Sequence, residues 1–525
     1  MKLTKTTRRV ILLVIAVAIW AVAAYLYVER NKQKDEASRD ILSMLHALER
    51  SDIEAPLDEG RGGGFAAWDD DIILMNSDGS FHWLAAGGEA FEPLALPPVL
   101  DFMAARDVMT TDQFDHFVGT EDLVMREIAP SRWEVYVSHF NPHVDLGCFT
   151  LALSRLEFTG SDGQVDVTAP WQQLYETNPC LTPRGNPGQL GGSMAFLDDD
   201  RLLLGVGEAH YDIVSLGTDG REVPENLVAI DLETGERNYD GSFIDPQSDA
   251  VDYGKTIVLD LKSGAARHYS KGHRNPSGMA IGPSGEPVMI EHGPRGGDEI
   301  NVIRDNEDYG WPRETFGTNY AAFKWPPAEE TGRHDRYAQP QFAFPPGTAP
   351  SGLLRLEGRG FPAWRGDFLF GSLYGRIFRL RLKSDLSVVM AEAFFVGTRV
   401  RDVIEASNGD LLIKPDGEAR VIRLTRDLAA ENETMPEVLA ACAQCHEWRH
   451  VSPSGAPPLI TTYWRNVAEI DGASYSDALR QKGGKWNEKR LRQFLRDPQS
   501  FAPGSTMPDP GLSDEEIDAV IEALK

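Results

Sequence analysis

Cysteine is scarce: 525 residues hold only four. That excludes the disulfide-dense scaffolds on which small secreted domains rely. Positive charge is short as well, since 80 Asp and Glu against 52 Lys and Arg leave a formal net charge of −28. Such a chain is a poor partner for phosphate backbones or anionic lipid, so nucleic-acid binding is set aside and the acidity reads as solvated surface. Long apolar runs are missing except for one near the N-terminus, and no second Cys-x-x-Cys pair accompanies the first, which removes a four-cysteine zinc site.

What is present is ordinary for folded protein, 42% hydrophobic and 25% charged residues. A chain of this length exceeds what one hydrophobic core serves, so two or more domains are expected. Its start, MKLTKTTRR, places Lys2, Lys5, Arg8 and Arg9 before an uncharged run from Val10 to Val28. That run is close to the roughly 20 residues of a membrane-spanning helix, and the positive flank favours a cytoplasmic N-terminus. Residues 1–9 are therefore read as a cytoplasmic tail and 10–28 as a transmembrane anchor, giving a single-pass inner-membrane protein with its bulk in the periplasm. A cleavable signal peptide is the alternative, because Ala21-Val22-Ala23 resembles a small-residue cleavage site. Either way the remainder lies outside the cytoplasm, where Cys148 and Cys180 could pair in a disulfide or stay as buried thiols.

Residues 29–64 read as a stalk and linker, with Ile41, Leu42, Leu45 and Leu48 at helical spacing before the flexible Gly62-Gly63-Gly64. From 65 to 426 the chain alternates short apolar runs with Asp, Asn and Gly turns, as in SRWEVYVSHF, DDDRLLLGVGE and SNGDLLIKPDGEARVIRLT. So many short strands without an obvious break predict an all-β body built by radial repetition, a propeller. A polar linker over 427–435 follows, and 436–525 turn helical: Ser513 and Glu516 have capping-box spacing, and Ile517, Val520, Ile521 and Leu524 share one face.

The stretch LAACAQCHEWRH carries a Cys-x-x-Cys-His motif. Cys442 and Cys445 are spaced to add across two haem vinyl groups, leaving His446 to ligate iron. Met507, in PGSTMPDP before the last helix, is the candidate sixth ligand, with His450 and Met435 as rivals. Together with PPL at 457–459, YSDAL at 475–479 and Trp486, this unit resembles class I cytochrome c.

The stretch GHRNPSGMAIGPSGEPVMIEHGPRGGDEINVIRDNEDYGWPRETFGTNY, from Gly272 to Tyr320, supplies a second resemblance. With APSGL, FPAWRGDFLFGSL and TRVRDV downstream, it is similar to the soluble aldose, or glucose/sorbosone, dehydrogenase family. The resemblance implies a six-bladed β-propeller that carries pyrroloquinoline quinone and oxidises a small sugar or alcohol. It implies that Arg274, Asn275, Arg399 and Arg401 hold the quinone, that the backbone carbonyls of Gly293 and Pro294 ligate Ca2+, and that Glu299 and Tyr309 belong to a second Ca2+ site. A carboxylated o-quinone suits guanidinium partners and a hard cation.

Three departures stand out. Gln189 occupies the place of the family's general-base histidine, Ser277 that of a glutamine, and Tyr374 that of a cofactor-contacting lysine. Glutamine cannot accept a proton at neutral pH, so Glu208 or His210 in GVGEAHYD is a candidate replacement base. Two readings result. One is an anchored quinoprotein-like dehydrogenase that passes electrons to its own haem and on to a respiratory acceptor. The other is a propeller turned binding module, with the cytochrome as sole redox centre.

Overall fold

The computed structural model describes residues 40–42, 46–57, 60–108, 118–182, 187–209, 229–235, 237–238, 245–319, 332–427, 436–448, 451–452, 454–470 and 473–525. The chain divides into two compact units, one ending at Asp427 and the other beginning at Leu428. The transmembrane reading of 10–28 lies outside the described residues. Among the described residues no helix is long and apolar enough to cross a membrane.

The first unit is a mainly-β propeller. Among the described residues its strands form six antiparallel sheets, four of four strands, one of five and one of eight. The innermost strands are Gly64–Trp68, Thr120–Ala129, Gly191–Phe196, Pro276–Ile281, Pro350–Arg355 and Val400–Glu405. Each contacts the next in chain order, and the last contacts the first, so they surround a common axis. Side chains of successive sheets interlock as apolar layers: Val288, Ile290, Ile300, Phe368, Phe370 and Leu380 fill one such layer. Another holds Phe361, Trp364, Leu369, Ile413, Ile422 and Leu424.

The ring is closed by a strand that the helical reading of the stalk missed. Ala47–Glu54 is a β-strand paired with Arg420–Arg426 in unbroken register from Leu48↔Arg426 to Glu54↔Arg420. Asp40–Leu42 adds one more strand outside it. The stretch read as stalk thus belongs partly to the propeller. Its apolar residues fit a helical period, but Leu48 and Ile53 are buried against the last sheet, and an open sheet edge is a stronger determinant than a few apolar residues at i, i+3 and i+4. Pairing the two ends of the propeller makes the closing sheet depend on both, so the ring cannot open at that seam without losing seven paired positions' worth of ladder.

Cys148 and Cys180 form a disulfide, buried beside Ile230. It ties strand Cys148–Ser161 to Cys180–Leu181 across 32 residues, a closure of the size that contributes about 3.7 kcal/mol by restricting the unfolded chain.

The second unit is a small helical domain. Its helices Asp477–Lys482, Glu488–Arg496, Pro498–Phe501 and Asp514–Ala523 pack Leu491, Phe494, Phe501, Ile517, Val520 and Ile521 around Trp486. The capping box expected at Ser513 is formed: its hydroxyl accepts from Glu516 N, and the Glu516 carboxylate accepts from Ser513 N at 2.8 Å.

Candidate functional site

The inner strands do not run straight to the axis. Five of them break register where they enter it: at Glu121, at Gly192 and Ser193, at Ser277, at Gly352 and at Arg401. An extra residue in one strand bends that strand and re-aims a side chain, a device common beside active sites. All of these residues except Gly192 line one axial cavity of about 380 Å³, together with Gln189, Arg274, Asn275, His292, Arg399, Asp122 and Asp402. The propeller thus collects into one space residues that lie far apart in sequence.

Adjacent sheets are stapled around this cavity by two carboxylates. Asp122 accepts from Met194 N on the next inner strand at 2.8 Å and from Leu123 N at 2.8 Å. Asp402 accepts from Phe65 N, on the first inner strand, at 2.7 Å and from Val403 N at 2.8 Å. Burial pushes the Asp122 carboxyl up to about 8, helped by the charge of Asp402 and opposed by its two backbone donors. Burial likewise pushes Asp402 to about 6, against its backbone donors and the Lys414 ammonium. Groups raised in this way bind more protons folded than unfolded. Their contribution to stability is full below the ordinary carboxylate range and is lost as pH rises through the raised values. The urea midpoint of the propeller is expected to fall between about pH 5 and about pH 8.5 by the equivalent of roughly 5 kcal/mol, most of it from Asp122, and Asp122→Asn is expected to flatten that slope. Chemical denaturation at the two pH values checks it.

The cations are arranged differently. Arg274 is buried, with Trp311 stacked 5.3 Å from its guanidinium carbon. It donates through Nη1 to the carbonyls of Gly293, at 2.8 Å, and His292, at 3.3 Å, while its Nε has no partner. Arg399 and Arg401 converge on Asp416, at 2.7 and 3.4 Å. Burial would raise Asp416, but Arg401, Arg399 and Arg61 outweigh it and hold the carboxyl below its usual value. One carboxylate thereby orients two guanidiniums toward the cavity, and Arg401 Nε stays unpaired. Burial lowers His292 to about 4, with Arg274 and Arg401 acting in the same direction against Asp298, so its imidazole is neutral near pH 7.

Of the residues named from sequence, Gln189, Arg274, Asn275, Arg399 and Arg401 meet in this cavity, as does Ser277. Gln189 Oε1 is buried and accepts no hydrogen bond. Glu208 is fully buried one layer behind: its N–H donates to the Arg274 carbonyl at 2.9 Å, and the neighbouring Ala209 N–H donates to the Gln189 carbonyl. It is not part of the lining, and His210 lies outside the described residues. Tyr374 is exposed and also outside the lining, although the adjacent Leu373 is in it. Sequence reasoning missed Glu121, Asp122, Asp402 and His292. Bulges carry no residue signature, so nothing in the sequence marks which side chains they redirect.

An anionic, carboxylated quinone fits this cavity's cations, two of which keep an unpaired guanidinium nitrogen. A Ca2+ ion fits less well, because the Arg274 guanidinium already donates to the Gly293 carbonyl meant for it and would set positive charge beside the ion. At the second site, Tyr309 Oη donates to Val302 O at 2.5 Å and accepts from Arg304 N, so its hydroxyl is committed to backbone. Glu299 lies beside Asn301 and Glu291, and burial, with the Glu291 and Asp298 charges, drives its carboxyl well above the usual range. Among the described residues no group of three or more His, Cys, Asp or Glu is placed to hold a metal.

In the helical unit, Cys442–Gln444 form a single 3-10 turn, and the N–H groups of Cys445 and His446 both donate to the Cys442 carbonyl. The two thiols are not joined to each other. His446 Nδ1 lies 2.7 Å from the Pro457 carbonyl, the first residue of the PPL run. A proton on Nδ1 donated there leaves Nε2 as the metal-ligating nitrogen. Met507, Leu459 and Tyr463 sit partly buried at the edge of the same core as Cys442. Met435 and His450, the rival ligands, lie outside the described residues.

The sequence model of the family described as Glucose / Sorbosone dehydrogenase matches residues 115–423, and that of Cytochrome c matches 437–525. Aldose sugar dehydrogenase YliI of Escherichia coli (strain K12) is 34% identical over 277 residues, which are 49% of this chain and 68% of that protein. An uncharacterized protein of Synechocystis sp., slr1608, is 31% identical over 258 residues, 48% of this chain and 59% of its own length. The crystal structure of the soluble aldose sugar dehydrogenase from Escherichia coli, in its apo-form, superposes with a TM-score of 0.54 at 21% identity, covering 72% of this chain and 99% of that one. At that identity the likeness concerns the fold.

Proposed function

This chain belongs to the Glucose / Sorbosone dehydrogenase family and ends in a cytochrome c domain, and from that premise we propose a self-contained dehydrogenase. Its propeller, with the six sheets as six blades, would oxidise a sugar or other small alcohol with pyrroloquinoline quinone, and its haem c would receive the electrons and pass them to a respiratory acceptor. The apolar segment 10–28 would anchor the chain in the inner membrane, with the bulk in the periplasm. The observation that carries the reading is the axial cavity: three guanidiniums and an orphaned glutamine oxygen on a dehydrogenase-family propeller, in one chain with a haem-attachment motif.

Arg274, Arg399 and Arg401 would bind the cofactor's carboxylates, and Asn275 and Ser277 would supply neutral hydrogen bonds. The quinone, when bound, supplies a two-electron acceptor. Asp416 keeps Arg399 and Arg401 in place without entering the lining itself. The Arg274 guanidinium on the Gly293 carbonyl already brings positive charge to the place proposed for Ca2+, so the proposed chemistry needs no step through that ion. Fusion of the two units replaces a bimolecular encounter with a high effective concentration of acceptor.

Gln189 favours a second reading, a propeller that binds a ligand without turning it over. The two are separated by loading the purified, haem-containing chain with pyrroloquinoline quinone and Ca2+ and adding a panel of aldoses and alcohols. Haem reduction that requires both quinone and one substrate class supports the dehydrogenase. A haem that only a chemical reductant reduces, with no quinone retained after desalting, supports the binding module.

A further inference from the structure

A dehydrogenase of this kind needs a group to take the proton from the substrate hydroxyl, and Gln189 cannot do so. We propose that Glu121, re-aimed into the axial cavity by a β-bulge, is the catalytic base for that hydroxyl, an inference that rests on the dehydrogenase reading above. Four observations on this chain carry it.

The first is placement. Glu121 is the unpaired residue between Thr120↔His139 and Asp122↔Ser138, and it lines the cavity. The second is proximity to the vacated position. Gly192, three residues after Gln189, has φ +101°, and a Cβ built on it would lie 2.4 Å from the Glu121 Cβ. The Glu121 side chain therefore passes over Gly192, and only glycine at 192 leaves it room. The third is that it is held differently from its neighbours: Asp122 and Asp402 each accept two backbone N–H groups, whereas the charge set against the Glu121 carboxyl is the Arg401 guanidinium of the cavity wall. The fourth is independent of the carboxylates. Ser193 Oγ and Arg274 Nε, both more than nine-tenths buried and both on this cavity, have no hydrogen-bond partner, as expected of groups that meet a polar ligand.

The step balances simply. The hydroxyl O–H bond breaks, its proton goes to a Glu121 oxygen, and the C=O double bond forms as the hydrogen on carbon leaves with its electron pair for the quinone. The Gln189 side chain contributes a hydrogen bond to the same hydroxyl.

Burial raises Glu121 above the usual carboxylate range, with Asp122 adding to the rise and the Arg401 guanidinium opposing it. The other charged or titratable groups facing the cavity are Arg274, Arg399, Asp402 and His292. A base must be ionised to act, so turnover falls as pH drops through that raised value, above the pH at which an exposed glutamate would lose its charge.

The test uses the full, haem-loaded chain with pyrroloquinoline quinone and the substrate panel, for wild type, Glu121→Gln, Glu121→Asp and the double variant Glu121→Gln/Gln189→His. Three quantities are read: quinone retained after desalting, the haem spectrum, and the rate of substrate-driven haem reduction against pH. Glu121→Gln is expected to keep quinone and haem, to lose about 10²- to 10⁴-fold in rate and to lose the acid limb of the profile. Glu121→Asp keeps that limb at a shifted pH, and the added histidine restores part of the rate. A Glu121→Gln rate within about threefold of wild type, with wild type active, overturns the role of Glu121 and leaves the dehydrogenase standing. Loss of quinone from Glu121→Gln makes the residue a cofactor ligand and overturns it as base. A wild type that holds quinone yet reduces no haem with any substrate overturns the dehydrogenase reading and this inference together. If Glu121→Gln does not fold, an unshifted acid limb in Glu121→Asp overturns the proposal.

Discussion

Arg379→Met lowers the unfolding free energy of the propeller by about 3–5 kcal/mol, the usual cost of leaving buried charge without its partner. Arg379, in strand Arg376–Leu382, is fully buried. Its guanidinium donates to Asp367 at 2.5 Å and to Glu392 at 2.5 and 2.8 Å, and it lies over the Trp364 ring at 5.1 Å. Asp367 keeps a second partner in Arg381, at 2.8 Å, so the ion pair lost outright is the one with Glu392. Urea denaturation followed by tryptophan fluorescence reads the loss. The double variant Arg379→Met/Glu392→Leu is expected to regain most of it, because a well-packed apolar pair is often no worse than the ion pair it replaces. If the single variant costs less than about 1 kcal/mol, the pair is solvated in solution and this part of the sheet is less closed than the structure has it.

That network illustrates what could and could not be read before the fold was known. Local chemistry was legible. The Cys-x-x-Cys-His spacing fixes thiols and imidazole within one turn, and the Ser513–Glu516 capping box involves only neighbours, so both needed no knowledge of the fold. Arg274, Asn275, Arg399 and Arg401 were found through a family resemblance and do share a cavity. Residues whose role depends on which strand lies next to which were not legible. Asp122 and Asp402 staple neighbouring strands, Glu121 and Arg401 are turned inward by register breaks, and Ala47–Glu54 becomes a strand because an open sheet edge awaits it. The period of 3.6 read over 41–48 was a local signal overridden by a partner more than 370 residues away in sequence, at 420–426.

Cys442→Ser/Cys445→Ser is expected to abolish covalent haem attachment and, with it, every substrate-driven change in haem absorbance, while leaving the propeller folded. The first half follows from the chemistry of the two thioether bonds, which need both thiols. The second follows from the division of the chain after Asp427, which gives each unit its own core. Within the helical unit the consequence reaches beyond the cofactor. Its core rests on little more than a dozen buried apolar residues around Trp486, and Cys442, Leu459, Tyr463 and Met507 lie only partly buried along one edge of it. A porphyrin covering that edge would add a large apolar contact, and a unit of about 90 residues has little stability to spare without it. The double variant should therefore show protease cleavage confined to residues after 427 and reduced helical circular dichroism, with denatured protein lacking any haem absorbance. Cys445→Ser alone keeps one thioether and the His446–Pro457 hydrogen bond, so it should retain haem in part and remain protease-resistant. Cleavage spreading into the propeller in the double variant would mean that the two units do not fold independently, and the case for a tethered donor and acceptor, each intact without the other, would have to be rebuilt on a single cooperative structure.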